Sequence, residues 1–256
     1  MKYLRDHWDL ISYRVLSEAR SENRQLYIGF AWWVLEPAAY MTVLYLVFGV
    51  IMQRGGPGFA GFLLVGFVFW RWMDGSIKKA ALSLLSAKMI LTQVKLPHWI
   101  FPLSEVLSAA LRFSVVLLLL ILFAVIYTGQ ASWAYLALPA MLALNMLFIV
   151  ALGLLLACIV PFFPDSRKII DNLFQLLFFC SGIFFDISAL SESSARLLYL
   201  NPFAAFLSCY RRILLDGQLP TLNLLYSPLA ATLLLTILAS MTYLRVREQL
   251  PKALLR

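Results

Sequence analysis

The 256 residues are 62% hydrophobic and 13% charged, with a mean hydropathy of +0.84 and a formal net charge of +8. Soluble domains are roughly 45–50% apolar and about 25% charged, so a water-soluble core of this length is excluded and an all-α integral membrane protein in a single bundle is expected. Cys158, Cys180 and Cys209 are widely spaced within apolar stretches; they form neither a disulfide framework nor a zinc pattern and read as small buried hydrophobes.

The chain opens with MKYLRDHWDLISYRVLSEARSENRQLY, which is charged and amphipathic. No short apolar run with a small-residue cleavage site follows it, so it does not read as a signal peptide. Leu4, Trp8, Ile11, Val15 and Ala19 share one helical face, while Arg5, Asp9, Ser12 and Glu18 occupy the others. That pattern predicts a helix along the membrane surface over residues 1–25. Charges of both signs on its polar face suit a protein partner better than lipid alone.

Spanning a hydrocarbon core of about 30 Å takes about 20 apolar residues. Six spans are expected, near residues 28–52, 59–77, 105–128, 133–160, 169–187 and 223–244. Glu36-Pro37 should bend the first. Between the second and third, residues 78–104 form a connection too long for a tight turn, with a short helical run and the stiffening prolines Pro97 and Pro102. Residues 188–222 are too apolar for a solvated loop; two amphipathic runs flank Asn201-Pro202, a pattern that can dip into the membrane and return.

Lysine and arginine set the orientation. With the N-terminus in the cytoplasm, 15 lie in inner segments and 4 in outer ones. The positive-inside rule then places both termini in the cytoplasm. The same basic surface faces anionic lipid, so the net charge needs no nucleic-acid partner.

Catalytic chemistry is not in evidence. His7 and His98 are far apart, and neither an HExxH nor a paired-carboxylate motif occurs, so no catalytic residue or metal site is assigned. A G-x-x-x-x-G-K-[ST] phosphate loop is also missing, so ATP and Mg2+ would have to sit on another polypeptide, with no cofactor in this chain. Six charged residues fall within or beside the spans: Glu36, Arg71, Asp74, Arg112, Asp171 and Asp186. Arg71 and Asp74, three apart, are expected to pair or snorkel, and Glu36 is the candidate for an interhelical contact. Tyr40, Tyr45, Phe174 and Phe178 lie toward the interior of their spans, where aromatic faces suit sliding sugar rings.

These pieces occur in an order that resembles the transmembrane subunit of ABC-2-type polysaccharide exporters, the permeases for capsule and O-antigen chains. The resemblance runs nearly end to end. It is carried by YIGFAWWVLEPAAYMTVLYLVFGVIM (27–52), FLLVGFVFWRW (62–72), VKLPHWIFPLSEVL (94–107), FPDSRKIIDNLFQLLFFCSGIFFD (163–186) and YLNPFAAFLSCYRRILLDG (199–217). The outer loop MQRGGPG and the ending YLRVREQ lean toward the capsule branch.

The resemblance implies a bacterial inner-membrane permease of which two copies form a channel for a lipid-linked polysaccharide. Two separate ABC ATPase subunits would dock below, and periplasmic co-polymerase and outer-membrane export proteins would be further partners. Residues 1–25 resemble the interface helix, 78–98 the coupling region and 188–216 paired re-entrant gate helices. The channel-lining candidates are Trp32, Trp33, Tyr40, Tyr45, Phe174, Phe178 and Phe179. Arg20, Arg24, Lys95 and Arg112 are candidates for admitting the anionic lipid head, and Arg5, Asp9, Lys78, Lys79 and Lys88 for coupling to the ATPase. Asn201, Pro202, Tyr210 and Arg211 are the outer-gate candidates. The rival readings are O-antigen or teichoic-acid export, a small-molecule permease, a membrane enzyme acting on lipid-linked sugars, and a structural envelope subunit.

Overall fold

The computed structural model describes residues 8–18, 58–94, 96–129, 132–163 and 165–255, together with 35, 38–39, 42–43 and 45–51. The described backbone is helical, with no strand among these residues. Most of the expected first span, including Glu36-Pro37, lies outside them; its described end is a π-helical stretch, Tyr45–Ile51.

Helix α1 covers residues 8–18. Helix α2, Phe59–Ser86, is the hub, packing against α4 (Ile100–Thr128), α5 (Leu138–Ile159) and α8 (Pro202–Leu214). It is buried nearly all round between Gly61 and Leu84, as its run of Val, Phe, Trp, Met and Ala on every face requires. The expected second span ended at residue 77, with Lys78 and Lys79 opening the connection. Instead α2 runs on to Ser86, because KKAALSLLSA holds good helix formers and neither glycine nor proline. A turn at Ala87 separates it from the short helix α3, Lys88–Gln93.

Helix α4 starts at Ile100, five residues earlier than expected, and Pro102 sits in its first turn, where backbone N–H groups have no helical partner. A 3-10 turn, Trp133–Ala137, leads into α5; the Ser132 hydroxyl accepts from the Ala134 N–H at 3.2 Å, and Pro139 sits in the first turn. Helix α9, Leu222–Val246, packs along α5, and α10, Leu250–Leu255, folds back against α3. Leu250 and Leu254 close a small core with Leu84, Ala87, Phe101 and Ala157.

By length and apolarity, three described segments can cross a membrane: Ile100–Thr128, Trp133–Ile159 and Leu222–Val246. These match three of the six expected spans. The expected span at 169–187 is a shorter helix, α6, Ser166–Cys180. At 1.5 Å per residue its 15 residues measure roughly 22 Å, less than the ~30 Å core. The cause is local: Gly182 adopts a left-handed φ of 68°, which ends the helix, and a 3-10 turn follows at Ile187–Ala189. Two helices, α7 (Glu192–Tyr199) and α8, then flank Asn201-Pro202. Cys158 and Cys209 are buried as expected, whereas Cys180 is exposed at the end of α6.

Replacing both Leu250 and Leu254 by alanine should free α10, since each buried Leu→Ala change costs about 2–5 kcal/mol. Limited trypsin digestion should then cut at Lys252 much faster than in the unmodified protein, with the rest of the digestion pattern unchanged.

Candidate functional site

Four arrangements gather the candidate residues. The first docks α1 on the opening turns of α4. Ile11 is buried, and Arg14 lies 3.1 Å from Glu105 with its guanidinium 4.6 Å over the Phe101 ring. One turn on, Glu18 accepts from the Ser108 hydroxyl at 2.9 Å and lies 3.7 Å from Arg112. A cation then an anion, four apart on α1, therefore face an anion then a cation, seven apart on α4. Glu105 and Arg112 side chains are each only 13% exposed, so these pairs are screened less than surface pairs. Among the candidates, Arg112 is thus engaged with Glu18, while Asp9 is exposed on α1. Sequence reasoning missed Arg14, Glu105 and Ser108; the matched charge order was the signal that could have found them.

A cleft of about 540 Å3 lies between α1, α3 and the start of α4, bordered by Tyr13, Arg14, Glu18, Ile90, Phe101 and Glu105. Tyr13 and Ile90 are exposed in its wall, and on α3 Lys88 and Met89 are exposed as well. Just beyond α3, burial lowers the pKa of His98 below its ordinary value, so this imidazole is neutral at physiological pH.

A second arrangement surrounds Lys78. Its ammonium lies 2.7 Å from Asp74, 3.6 Å from Asp171 of α6 and 5.4 Å over the Phe174 ring. Arg71 and Asp74 were expected to pair or snorkel; Asp74 forms its ion pair with Lys78, one helical turn away on the same face. Lys79, on the neighbouring face, is exposed.

The third arrangement locks α8 to its neighbours. Arg211 is 6% exposed and donates from Nη1 to the Gly182 carbonyl at 2.7 Å, from Nη2 to Ile183 at 3.2 Å and from Nε to Phe62 at 3.2 Å. Its guanidinium stacks 3.4 Å from the Phe62 ring. Gly66 leaves the space this group fills; a Cβ there would collide with Nη2. Adjacent Tyr210 stacks on Phe69 at 3.6 Å, receives a bond from Asn145 at 3.1 Å and donates to the Met141 carbonyl at 3.3 Å. Asn201 caps α8 by accepting from the Phe203 N–H at 3.0 Å, and its amide donates to Ser181 at the end of α6. Pro202 takes the first helical position, where no N–H is needed. Asn201 and Arg211 thus hold the α6 turn to α8, while Tyr210 ties α8 to α2 and α5. The partners Asn145, Gly182 and Ser181 were not anticipated.

The fourth is aromatic. Phe174 is buried against Trp70 and Phe203, with centroids 6.3 and 5.6 Å away. Phe178 is half-buried between Trp70 at 5.7 Å and Phe184 at 5.0 Å, whereas Phe179 is 55% exposed. Helix α6 buries only Ile170 and Phe174; Asp171, Asn172, Gln175, Leu176 and Phe179 are left uncovered. The remaining candidates, Arg5, Arg20, Arg24, Trp32, Trp33, Tyr40 and Lys95, lie outside the described residues, and of Tyr45 only the backbone is described. No group of three or more potential metal ligands occurs among the described residues.

Long apolar helices packed around a shared hub, three of them able to cross a membrane, define a multi-pass membrane protein. The chain belongs to the ABC-2 type transporter family, whose model matches residues 18–215. It is 28% identical over 242 residues to the O-antigen export system permease protein RfbA of Myxococcus xanthus, covering 94% of this chain and 93% of that protein. It is 22% identical to the RfbA permease of Klebsiella pneumoniae, covering 83% and 82%. The polysialic acid transport protein KpsM of Escherichia coli is 25% identical, covering 91% and 92%.

Two outcomes test the geometry. Arg211→Lys keeps the charge but loses the fork, leaving carbonyls unpaired at about 1–3 kcal/mol each; the thermal midpoint in detergent should fall markedly, and Gly66→Ala should lower it too. Glu18→Arg should release α1, and Arg112→Glu in the same chain should redock it. Amide hydrogen exchange across residues 8–18 would report the loss and the recovery.

Proposed function

We propose that this chain is the permease subunit of an ATP-driven exporter. It moves a lipid-linked capsular polysaccharide across the bacterial inner membrane, through a channel formed by two copies. The observation that carries this reading is the uncovered face of α6, set within a family match that spans most of the chain. Asn172 and Gln175 on that face cannot stand against hydrocarbon without leaving amide groups unpaired, so they require water, protein or a polar cargo. Amides that bond hydroxyls beside a ring that stacks on sugar C–H faces suit a sliding glycan. In this reading Phe179 borders the conduit with Trp32, Trp33, Tyr40 and Tyr45, while Phe174 and Phe178 support it from behind.

Both termini lie in the cytoplasm, on the strength of the 15 to 4 distribution of lysine and arginine. Residues 1–25 and 78–98 receive the ATPase, with Arg5, Asp9, Lys78, Lys79 and Lys88 at the contact; ATP and Mg2+ are held by that partner. The cleft between α1 and α3, lined by exposed Tyr13 and Ile90, supports this placement. The anionic lipid head enters past Arg20, Arg24, Lys95 and Arg112. Helices α7 and α8 form the re-entrant outer gate, with Asn201, Pro202, Tyr210 and Arg211 as its fixed hinge.

A second reading, O-antigen export by the same machinery, is favoured by the likeness to the Myxococcus xanthus permease.

Co-purification with the adjacent ATPase, followed by turnover with and without lipid-linked glycan, tests the proposal. A two-plus-two assembly stimulated by the glycan supports it; sugar chemistry by the chain alone, with no ATPase bound, overturns it. Capsular and O-antigen lipids compared in that assay separate the two readings. Gln175→Ala with Phe179→Ala should slow export about threefold to tenfold, the size of one lost aromatic contact, while assembly survives.

A further inference from the structure

Helix α6 is held unevenly along its length. At its outer end Asn201 donates to Ser181 at 3.0 Å, and Arg211 donates to the Gly182 and Ile183 carbonyls at 2.7 and 3.2 Å. Its middle rests on α2 through rings, Phe174 against Trp70 at 6.3 Å and Phe178 against Phe67 at 6.4 Å. Toward its inner end Asp171 pairs with Lys78 of α2 at 3.6 Å. The Lys78 ammonium also stands 5.4 Å over the Phe174 ring, so both of its contacts with α6 fall within one turn of that helix.

Lys78 has two carboxylates within reach. Asp74, on its own helix, lies at 2.7 Å and its side chain is 15% exposed; Asp171 lies at 3.6 Å and is 56% exposed. The pair within α2 persists wherever α6 goes. Asp171 is already hydrated, so parting it from Lys78 strands neither charge. Exposed pairs of this kind break at little cost and weaken further in salt. The outer end offers the opposite, a buried fork of bonds beside Gly182, where a φ of 68° has already broken the helix. From Asp171 to that turn is about 16 Å at 1.5 Å per residue. A tilt of about 10° there carries Asp171 by about 3 Å, enough to open the contact.

We propose that Lys78 is a positioning residue for α6: it latches the inner end of that helix to the hub through Asp171, and α6 pivots about the Gly182 turn when the latch opens. Lys78 lies about two turns before the end of α2 at Ser86, beyond which the turn at Ala87 leads into α3. A displacement of α3 therefore reaches the latch along continuous helix. For its purpose the latch rests on the export reading, in which α6 walls the conduit and its inner end sets the width of the entrance; the pivot itself is measured without transport.

The test uses the full chain in detergent. Spin labels are placed at Lys168→Cys on α6 and Leu244→Cys on α9, both exposed positions, with exposed Cys180 replaced by serine. Labelled chains are diluted into unlabelled ones, and double electron–electron resonance gives the distance distribution. Asp171→Lys, which sets two ammonium groups against each other, should move the distribution by about 3 Å or more. High salt should move the unmodified chain the same way, and the exchange Lys78→Glu/Asp171→Lys should restore the original distribution. Asp165→Lys makes the same charge change at the N-cap of α6, where no side-chain cap bond is lost, and should have no effect. An unchanged distribution both in Asp171→Lys and in high salt overturns the proposal, as does failure of the exchange to restore it. In the assembly with ATPase and lipid-linked glycan, Asp171→Lys should reduce glycan-stimulated turnover about twofold to fivefold, the size of an exposed ion pair, and the exchange should recover it. A shifted distribution with turnover unchanged keeps the pivot and removes its part in transport. Absence of any ATPase partner overturns the export reading, while the distances still decide the latch.

Discussion

A buried guanidinium that must find several carbonyls at once is the constraint on which the packed part of this molecule depends. Arg211 could not be 6% exposed beside apolar neighbours unless its donors were used, because an unpaired buried charge costs several kcal/mol. Two acceptors are supplied by the turn after α6, where the left-handed Gly182 leaves consecutive carbonyls facing α8, and the third by Phe62 in α2. Once that geometry is set, Tyr210 lies against Phe69 and within reach of Asn145, and Asn201 reaches Ser181. The interactions on α8 thus share one registration, and shifting it by one residue would break them together.

Away from that fastening the molecule is held differently. The contacts of α2 with α4 and α5, and of α5 with α9, are apolar and close-packed. Helix α1 is held to α4 by two charged pairs and one buried isoleucine. Helix α10 is held to α3 by two leucines. Helix α6 fully buries two side chains and leaves most of the others exposed. The cohesion therefore grades from a rigid interior to elements whose attachments are few and separable. In the proposed exporter, such a gradient would let the periphery shift while the hub keeps its form.

The sequence made the broad architecture legible. Apolar runs near 105–128, 133–160 and 223–244 became α4, α5 and α9 within a few residues, since twenty-odd apolar residues in lipid have almost no alternative to a helix. Asn201-Pro202 was readable as the break between α7 and α8, because Asn and Pro have fixed roles at a helix start. Less legible was where α2 ends, since hydropathy marks the membrane boundary and Lys78 and Lys79 merely carry the helix past it. The end of α6 was missed for the opposite reason: SGIFF stays apolar after the backbone has turned at Gly182. Among the candidate residues, type was a poor guide to partner. Asp74 had two cations in helical reach and took Lys78, and the Arg14–Glu105 pair joins residues 91 apart in sequence. Arg211 was expected at the outer gate, but its burial was not legible, because its three acceptors are backbone carbonyls that carry no mark in the sequence.

Those three acceptors also bear on how the chain is made. Phe62, Gly182 and Ile183 all precede Arg211, so each is synthesised before the arginine is added. When α8 reaches the membrane, its costly cation meets a receptacle already synthesised and need not linger unpaired. The partners of Tyr210, Met141 and Asn145, are likewise upstream. The segment between Gly182 and Arg211 is therefore closed from the N-terminal side, and α9 is synthesised after the partners of Arg211 and Tyr210.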